Sequence, residues 1–485
     1  MTLLRSSVWA ILSALFLAGS RFAVNAVLAR RLSIEEFGLY AYSQWLVDLG
    51  FMVCAFGVPS LATRYFAEYR DAPNLLSSFV IQWRRYARIL PWITSAIVLL
   101  GSVLSQIKLT NLGAVALAIW GLTNGIWAMQ TAALAGMQRF DLLLGSNAIY
   151  ILILLGAILG LPKHLFSHET LFAIAAVASA TAASIGYKRT QSPMSGIESN
   201  GELPMKEIKT YALNVWISGL LASLVWSRGE FPLVRQMLGD VSVAHYTAAL
   251  TVFGGVIQAV MLCVSGVAPH LSRMWGGGSK SEVIELARTI MDIQLLLAGA
   301  SSLVIVLYGD VLISFLFTSK YEDAAAPLAI LGLGLVAFAV SSQSYLLQLA
   351  TEARFNRDSI FIGLLVLYVG VFVMTPTFGL MGAAFSRTVA LLSMGGLTML
   401  HSVKRWGRAS VSISNFCFVL LILGVAIMIK QTIKLEGTGI RLSILISLLG
   451  VVIFVLRAPS RTFVVVKVWQ QIVPHVSKMV KALLA

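Results

Sequence analysis

The chain has 485 residues, 58% of them apolar and only 12% charged, about half the charged fraction of an ordinary soluble domain, so a soluble globular class is excluded. Its 36 Lys and Arg against 21 Asp and Glu give a formal net charge of +15, but these charges sit between apolar runs, so their field acts on lipid headgroups and nucleic-acid binding is excluded. Cys54, Cys263 and Cys417 fall inside apolar stretches with no CxxC and no Cys/His cluster, which predicts neither a disulfide framework nor a zinc site, and no cofactor is expected.

About 20 mostly apolar residues cross a bilayer as a helix, and fourteen such stretches follow one another. They run from about 8 to 29, 39 to 61, 89 to 107, 112 to 135, 142 to 161, 170 to 187, 211 to 238, 244 to 268, 289 to 309, 324 to 348, 358 to 376, 379 to 400, 411 to 430 and 438 to 457. The fold class predicted is therefore an all-α polytopic membrane protein. The first stretch begins after Arg5 like a signal peptide but continues to Ala29 without a clear cleavage point, so it reads as a retained first span. With the N-terminus in the cytoplasm, 24 Lys and Arg lie inside, nine outside and three within spans, and the positive-inside rule selects that orientation, with both termini cytoplasmic. In the tail, Lys467, Gln471, His475, Lys478 and Lys481 share one helical face, which predicts a helix lying on anionic membrane lipid.

A polar connection in mid-chain separates two related halves. Leu32 to Tyr40 pairs with Leu238 to Tyr246 at an offset of 206, Gly57 to Arg64 with Gly266 to Arg273 at 209, and Arg139-Phe140 with Arg354-Phe355 at 215, all in equivalent loops. Six spans per repeat is an even number, so both halves enter from the same side. The organisation expected is a six-helix bundle over 1–190, a cytoplasmic linker over 191–210, a second six-helix bundle over 211–402, two further helices over 403–457 and an amphipathic tail over 458–485. Two such pseudo-symmetric bundles suit alternating access.

The run Ala29 to Gly38 (ARRLSIEEFG), followed by Leu39-Tyr40 and by Phe56 to Arg64 (FGVPSLATR) with Tyr65, Glu68 and Tyr69, resembles the N-terminal pattern of polysaccharide exporters of the O-antigen flippase type. Gly239 to Tyr246, Pro269 with Leu271 to Arg273, and Tyr321 to Gly332 are similar too. The resemblance implies a member of the superfamily that also holds multidrug/toxin extruders and lipid II flippases. It further implies a non-enzymatic flippase of the bacterial inner membrane that moves an undecaprenyl-diphosphate-linked oligosaccharide to the outer leaflet for lipopolysaccharide or exopolysaccharide synthesis. A glycan polymerase and a chain-length regulator are the partners implied.

Charged side chains deep in a span cost about 2.5 to 3.5 kcal/mol on insertion scales and so face water or partners. Arg21 continues a stripe with Ala14, Ala18 and Asn25 on span 1. Asp48 lies near the midpoint of span 2 as a partner for Arg21. Arg228 is on a partly polar face of span 7, followed by Gly229, Glu230 and Pro232, and that proline predicts a kink or unwinding at Arg228. Arg387 lies beside Ser386 in span 12, and Ser341 to Ser344 add polar groups to span 10. Arg21, Asn25, Arg228 and Arg387 are the expected substrate-binding residues, because a guanidinium grips diphosphate bidentately, and Asp48 and Glu230 the expected ion-coupling carboxylates. The alternative has Arg21 with Asp48, and Arg228 with Glu230, as static clamps. Asp292 reads as interfacial, His164 and His168 as loop histidines rather than metal ligands, and Gly276 to Ser281 as a flexible connection without the order of a phosphate loop.

A multidrug/toxin extruder shares this architecture, but three deep arginines against two deep acids favour an anionic ligand. A membrane glycosyltransferase, polymerase or ligase needs a sizeable outer loop, which the sequence lacks.

Overall fold

The computed structural model describes residues 3–69, 72–162, 165–191, 201–264, 271, 274–350, 353–432, 441 and 444–449. Most of the fourteenth expected span, the tail over 458–485, nearly half of the linker, His164 and most of the Gly266 to Arg273 repeat segment lie outside the described residues. Among the described residues the chain is helical throughout, with no strand.

Residues Met1–Ser223 and Leu224–Ala485 form two compact units. The first contains α1 (Leu3–Arg31), α2 (Ile34–Cys54), α3 (Val58–Glu68), α4 (Pro73–Leu104), α5 (Asn111–Gly136), α6 (Phe140–Gly160), α7 (His168–Gln191) and most of α8 (Met205–Trp226). Helix α2 starts with a capping box: the Ser33 hydroxyl accepts the Glu36 N–H at 3.2 Å while the Glu36 carboxylate accepts the Ser33 N–H at 3.3 Å. Helix α5 packs against α4 and α7, and α6 against α1 and α7. The boundary between units falls inside α8 rather than at the linker. Its first turns explain this, since Ile208 and Ala212 join the apolar core of α3 and α4 around Tyr65, Phe66, Phe79 and Trp83. Further along, the Trp216 indole donates to the Met52 carbonyl at 2.9 Å.

The second unit contains α9 (Phe231–Val264), α10 (Lys280–Phe317), α11 (Ala325–Gly334), α12 (Ser341–Leu349), α13 (Ala353–Trp406) and α14 (Ile413–Thr432). Helix α10 is its centre: Met291, Leu295, Leu303 and Val306 pack against Val336, Val419, Leu423 and Ala426. Asp292, read from sequence as interfacial, is buried at 9% exposure and accepts a 2.8 Å hydrogen bond from Asn415 Nδ2 on α14. The extra helix therefore docks on α10 through a buried polar contact, a partner 123 residues away that no local pattern announces. In span 10, Gln343 donates to the Ser410 carbonyl at 2.9 Å.

Among the described residues, eight helices can cross a membrane by length and composition, or nine if α2 and α3, bent by 61°, form one span. The two longest, Met205–Met261 and Arg354–Trp406, have 57 and 53 residues, enough for two crossings each. The 54-residue α13 would measure about 80 Å as a straight helix, against a hydrocarbon core of about 30 Å. Backbone breaks resolve this: Gly379 (φ 57°, ψ −139°) divides α13, and Gly239 (φ 81°, ψ 179°) divides α9. Both conformations are open essentially to glycine alone. The paired spans expected at 358–376 with 379–400, and at 211–238 with 244–268, fall on either side of these breaks.

Candidate functional site

In the first unit, Arg21 on α1 and Asp48 on α2 are exposed and Asn25 is half-buried. The charges of Arg21 and Asp48 both act on the hydroxyl of Tyr150 on α6, so one group of each sign shares a neighbourhood. Tyr150 is 6% exposed and stacks on Trp127 with ring centres 4.4 Å apart. Polar contacts position these walls. The Trp127 indole donates to Ser146 Oγ at 3.0 Å, and Asn147 Nδ2 donates to Ser13 Oγ at 3.1 Å, tying α6 to α1. The side chains of Ala14 and Ala18, which complete the expected stripe, lie outside the described residues.

In the second unit the expected break after Arg228 is present. Helix α8 ends at Trp226, residues 227–230 turn, and α9 begins at Phe231 with Pro232 in its first turn, where a proline needs no intrahelical donor. The Arg228 carbonyl is not orphaned, because it accepts the Phe231 N–H at 3.1 Å. The other carbonyls of the break are met by side chains: Arg387 Nη2 donates to Ser227 at 2.7 Å, and the Tyr368 hydroxyl donates to Gly229 at 2.7 Å.

Arg387 also makes a bidentate ion pair with Glu230, Nε to Oε1 at 2.7 Å and Nη2 to Oε2 at 2.6 Å, and the Tyr246 hydroxyl donates to Oε1 at 2.7 Å. The two ionic side chains are 1% and 0% exposed. Depth along the helices agrees. Glu230 lies nine residues before the Gly239 break and Arg387 eight after the Gly379 break, about 12 to 14 Å in each case at 1.5 Å per residue. Helix dipoles favour the arrangement, with the guanidinium at the C-terminus of α8 and the carboxylate at the N-terminus of α9. Glu230 is thus paired with Arg387, whereas the clamp alternative set it with Arg228. Arg387 and Glu230 therefore bond each other, and Arg387 also bonds the broken backbone.

Arg228 is half-buried, its guanidinium 5.3 Å from the Phe231 ring centre. Sequence reasoning missed Tyr246 and Tyr368 as site residues, although Tyr246 ends the first repeat match. The repeat adds a comparison. The 206-residue offset carries Tyr40 onto Tyr246, and the 215-residue offset carries Phe172 onto Arg387. In the first unit Tyr40 stacks on Phe172 at 6.4 Å and on Trp120 at 5.9 Å. The same position is therefore aromatic in one repeat and ionic in the other. At the far end of the first unit, His168 Nδ1 lies 4.0 Å from Glu36 Oε1.

The profile of a family described as polysaccharide biosynthesis protein matches residues 3–275. The chain belongs to that family. No curated protein matches the chain significantly by sequence. Among solved structures, this member of the polysaccharide biosynthesis family is similar to the lipid II flippase MurJ in an inward closed conformation. That match has 13% identity and a TM-score of 0.68, covering 95% of this chain and 99% of MurJ. An inward-facing multidrug resistance MATE family transporter of the MOP superfamily matches at 13% identity and a TM-score of 0.67, covering 81% and 95% of the two chains. A MOP superfamily transporter from Pyrococcus furiosus, described as having a binding pocket of reverse polarity, matches at 14% identity and 0.61, covering 84% and 97%. The family member described here is a multi-pass membrane protein with the fold of these flippases and transporters.

Proposed function

We propose that the protein is a flippase that carries an isoprenyl-diphosphate-linked oligosaccharide from the cytoplasmic to the outer leaflet by alternating access. The family match together with an exposed guanidinium supports this reading: Arg21 on α1 is exposed, with Asn25 one turn away. A guanidinium offers a fork of donors to a diphosphate. Arg21 with Asn25 and, in the second unit, Arg228 are the proposed diphosphate contacts. Asp48 is the proposed carboxylate whose protonation or ion binding couples transport to a gradient. Arg387 and Glu230 take a different part, holding the break between α8 and α9 closed. The bacterial inner membrane is the proposed location, with a glycan polymerase and a chain-length regulator as neighbours in the same synthesis.

The test is reconstitution in vesicles with a fluorescent isoprenyl-diphosphate oligosaccharide on one side. Transbilayer movement that requires the protein supports the reading. A second reading, drug extrusion, is favoured by the MATE likeness at TM-score 0.67. Gradient-driven uptake of an organic cation with no movement of the diphosphate lipid would establish it instead.

A further inference from the structure

A second break lies in the first unit, apart from the transport site proposed above. Helices α2 and α3 meet at a 61° bend. Pro59, in the first turn of α3, has no N–H with which to continue α2, and the bend itself is made by Phe56 at φ 44° and Gly57 at φ 74°. A bulky residue at positive φ is strained and persists only where its surroundings hold it.

Helix α8 supplies that hold. Met52 lies in the last turn of α2, whose carbonyls have no helical donors, and the Trp216 indole donates to it at 2.9 Å. The Phe56 ring tilts against the Trp216 ring with centres 5.0 Å apart. Gly57 lies so close to α8 that a Cβ there would collide with the Ala212 carbonyl oxygen. Nearer the start of α8, Tyr211 meets Tyr65 edge-on at 6.3 Å and lies under the Arg64 guanidinium at 4.5 Å. Ile208, Ala212 and Trp216 recur every four residues, so a single face of α8 makes these contacts.

The sequence repeat makes α8 the counterpart of α1 and the first helix of the second bundle. Yet α1 packs on α6 of its own bundle, whereas the first turns of α8 pack on α3 and α4 in the first unit. The chain enters the second unit at Leu224, just before the turn at residues 227–230. The distribution of Lys and Arg places the start of α8 at the cytoplasmic face. Alternating access requires the two bundles to part at that face in one state.

We propose that Trp216 is the latch of a cytoplasmic gate. With its indole on the Met52 carbonyl, the start of α8 is closed on the bend between α2 and α3, and release of that bond lets α8 leave α3 when the protein opens inward. Trp216 is a positioning residue and touches no cargo. The proposal rests on the alternating-access reading above.

The experiment uses the full chain in inside-out vesicles, with Cys54, Cys263 and Cys417 replaced by serine. Ala212→Cys puts a thiol at a position 8% exposed in the closed arrangement, and Ala183→Cys, 4% exposed near the cytoplasmic end of α7, is the control. The rate of alkylation by a membrane-impermeant maleimide reads how often each site opens. Trp216→Phe keeps a ring and removes the donor. It should raise the rate at residue 212 about fivefold, the effect of one hydrogen bond, and leave residue 183 unchanged. An unchanged rate at residue 212 overturns the proposal, and so does an equal rise at both sites, which marks general loosening. In a second arm, Arg64→Cys and Tyr211→Cys joined by a reducible bis-maleimide should stop movement of an isoprenyl-diphosphate lipid, and reduction should restore it. Movement by the joined protein overturns the latch and leaves the flippase reading standing. If the unjoined protein moves no such lipid, the flippase reading fails and the alkylation rates still decide the latch.

Discussion

Arg387 and Glu230 form the most consequential buried contact in the second unit, and a double-mutant cycle tests what it does. Arg387→Met takes the bidentate partner from a carboxylate at 0% exposure, leaving it the Tyr246 hydroxyl, and it also removes the donor to the Ser227 carbonyl. Breaking a buried pair by deleting one partner costs about 3 to 5 kcal/mol, because the remaining charge is uncompensated. Glu230→Gln should cost a similar amount, now from an unbalanced guanidinium. The double variant Glu230→Leu with Arg387→Met removes both charges. It should lose only what the orphaned Ser227 carbonyl and Tyr246 hydroxyl cost, about 1 to 3 kcal/mol in all. Thermal unfolding of purified protein, followed by tryptophan fluorescence, should therefore rank both single variants below the double, which should also keep export. Additive loss in the double would refute the pairing. A stable double variant that no longer exports would show that Arg387 or Glu230 contacts the cargo or the ion.

The other expectations concern separate residues. Asp48→Asn should abolish the dependence of export on an ion gradient while leaving the protein folded, as measured in vesicles with and without an imposed gradient; undiminished gradient dependence counts against a coupling role. Gly379→Ala has open space for its Cβ, so any penalty is backbone strain from φ 57°, about 1 to 3 kcal/mol in stability, and an unchanged unfolding temperature would contradict that conformation. Outside the spans, the Arg139 guanidinium donates to both Asp141 oxygens at 3.0 and 2.9 Å and holds that carboxyl below the usual carboxylate range. A depressed carboxyl stabilises at neutral pH and loses that contribution as pH falls below the ordinary value. Asp141→Asn should therefore remove the acid-dependent part of the stability of the α5–α6 corner, read as a flatter profile of unfolding temperature against pH.

Apolar length was readable residue by residue, because each crossing must satisfy its own backbone, and so was the break at Arg228 to Glu230, because Pro232 sets it locally. The two glycine breaks were readable only as gaps between apolar runs, since nothing in the sequence states that Gly239 and Gly379 adopt positive φ. Pairing was the illegible part. Glu230 meets Arg387 across 157 residues, and Asp292 meets Asn415 across 123, separations that periodicity on one helix cannot bridge. Charge at depth could not by itself sort a clamp from a ligand. Burial separates the two arginines where sequence does not: Arg387 is enclosed whereas Arg21 is exposed. The unit boundary likewise escaped the sequence, because the first turns of α8 pack on α3 and α4 although a polar linker precedes them.

The central claim is that Arg21 receives a diphosphate. Direct binding of a short-chain isoprenyl diphosphate to the purified protein, compared between the unsubstituted chain and Arg21→Gln, tests it most directly. Loss of a charge-assisted contact should weaken binding about tenfold or more while the unfolding temperature stays unchanged. Equal affinity of the two proteins for the diphosphate would contradict the account.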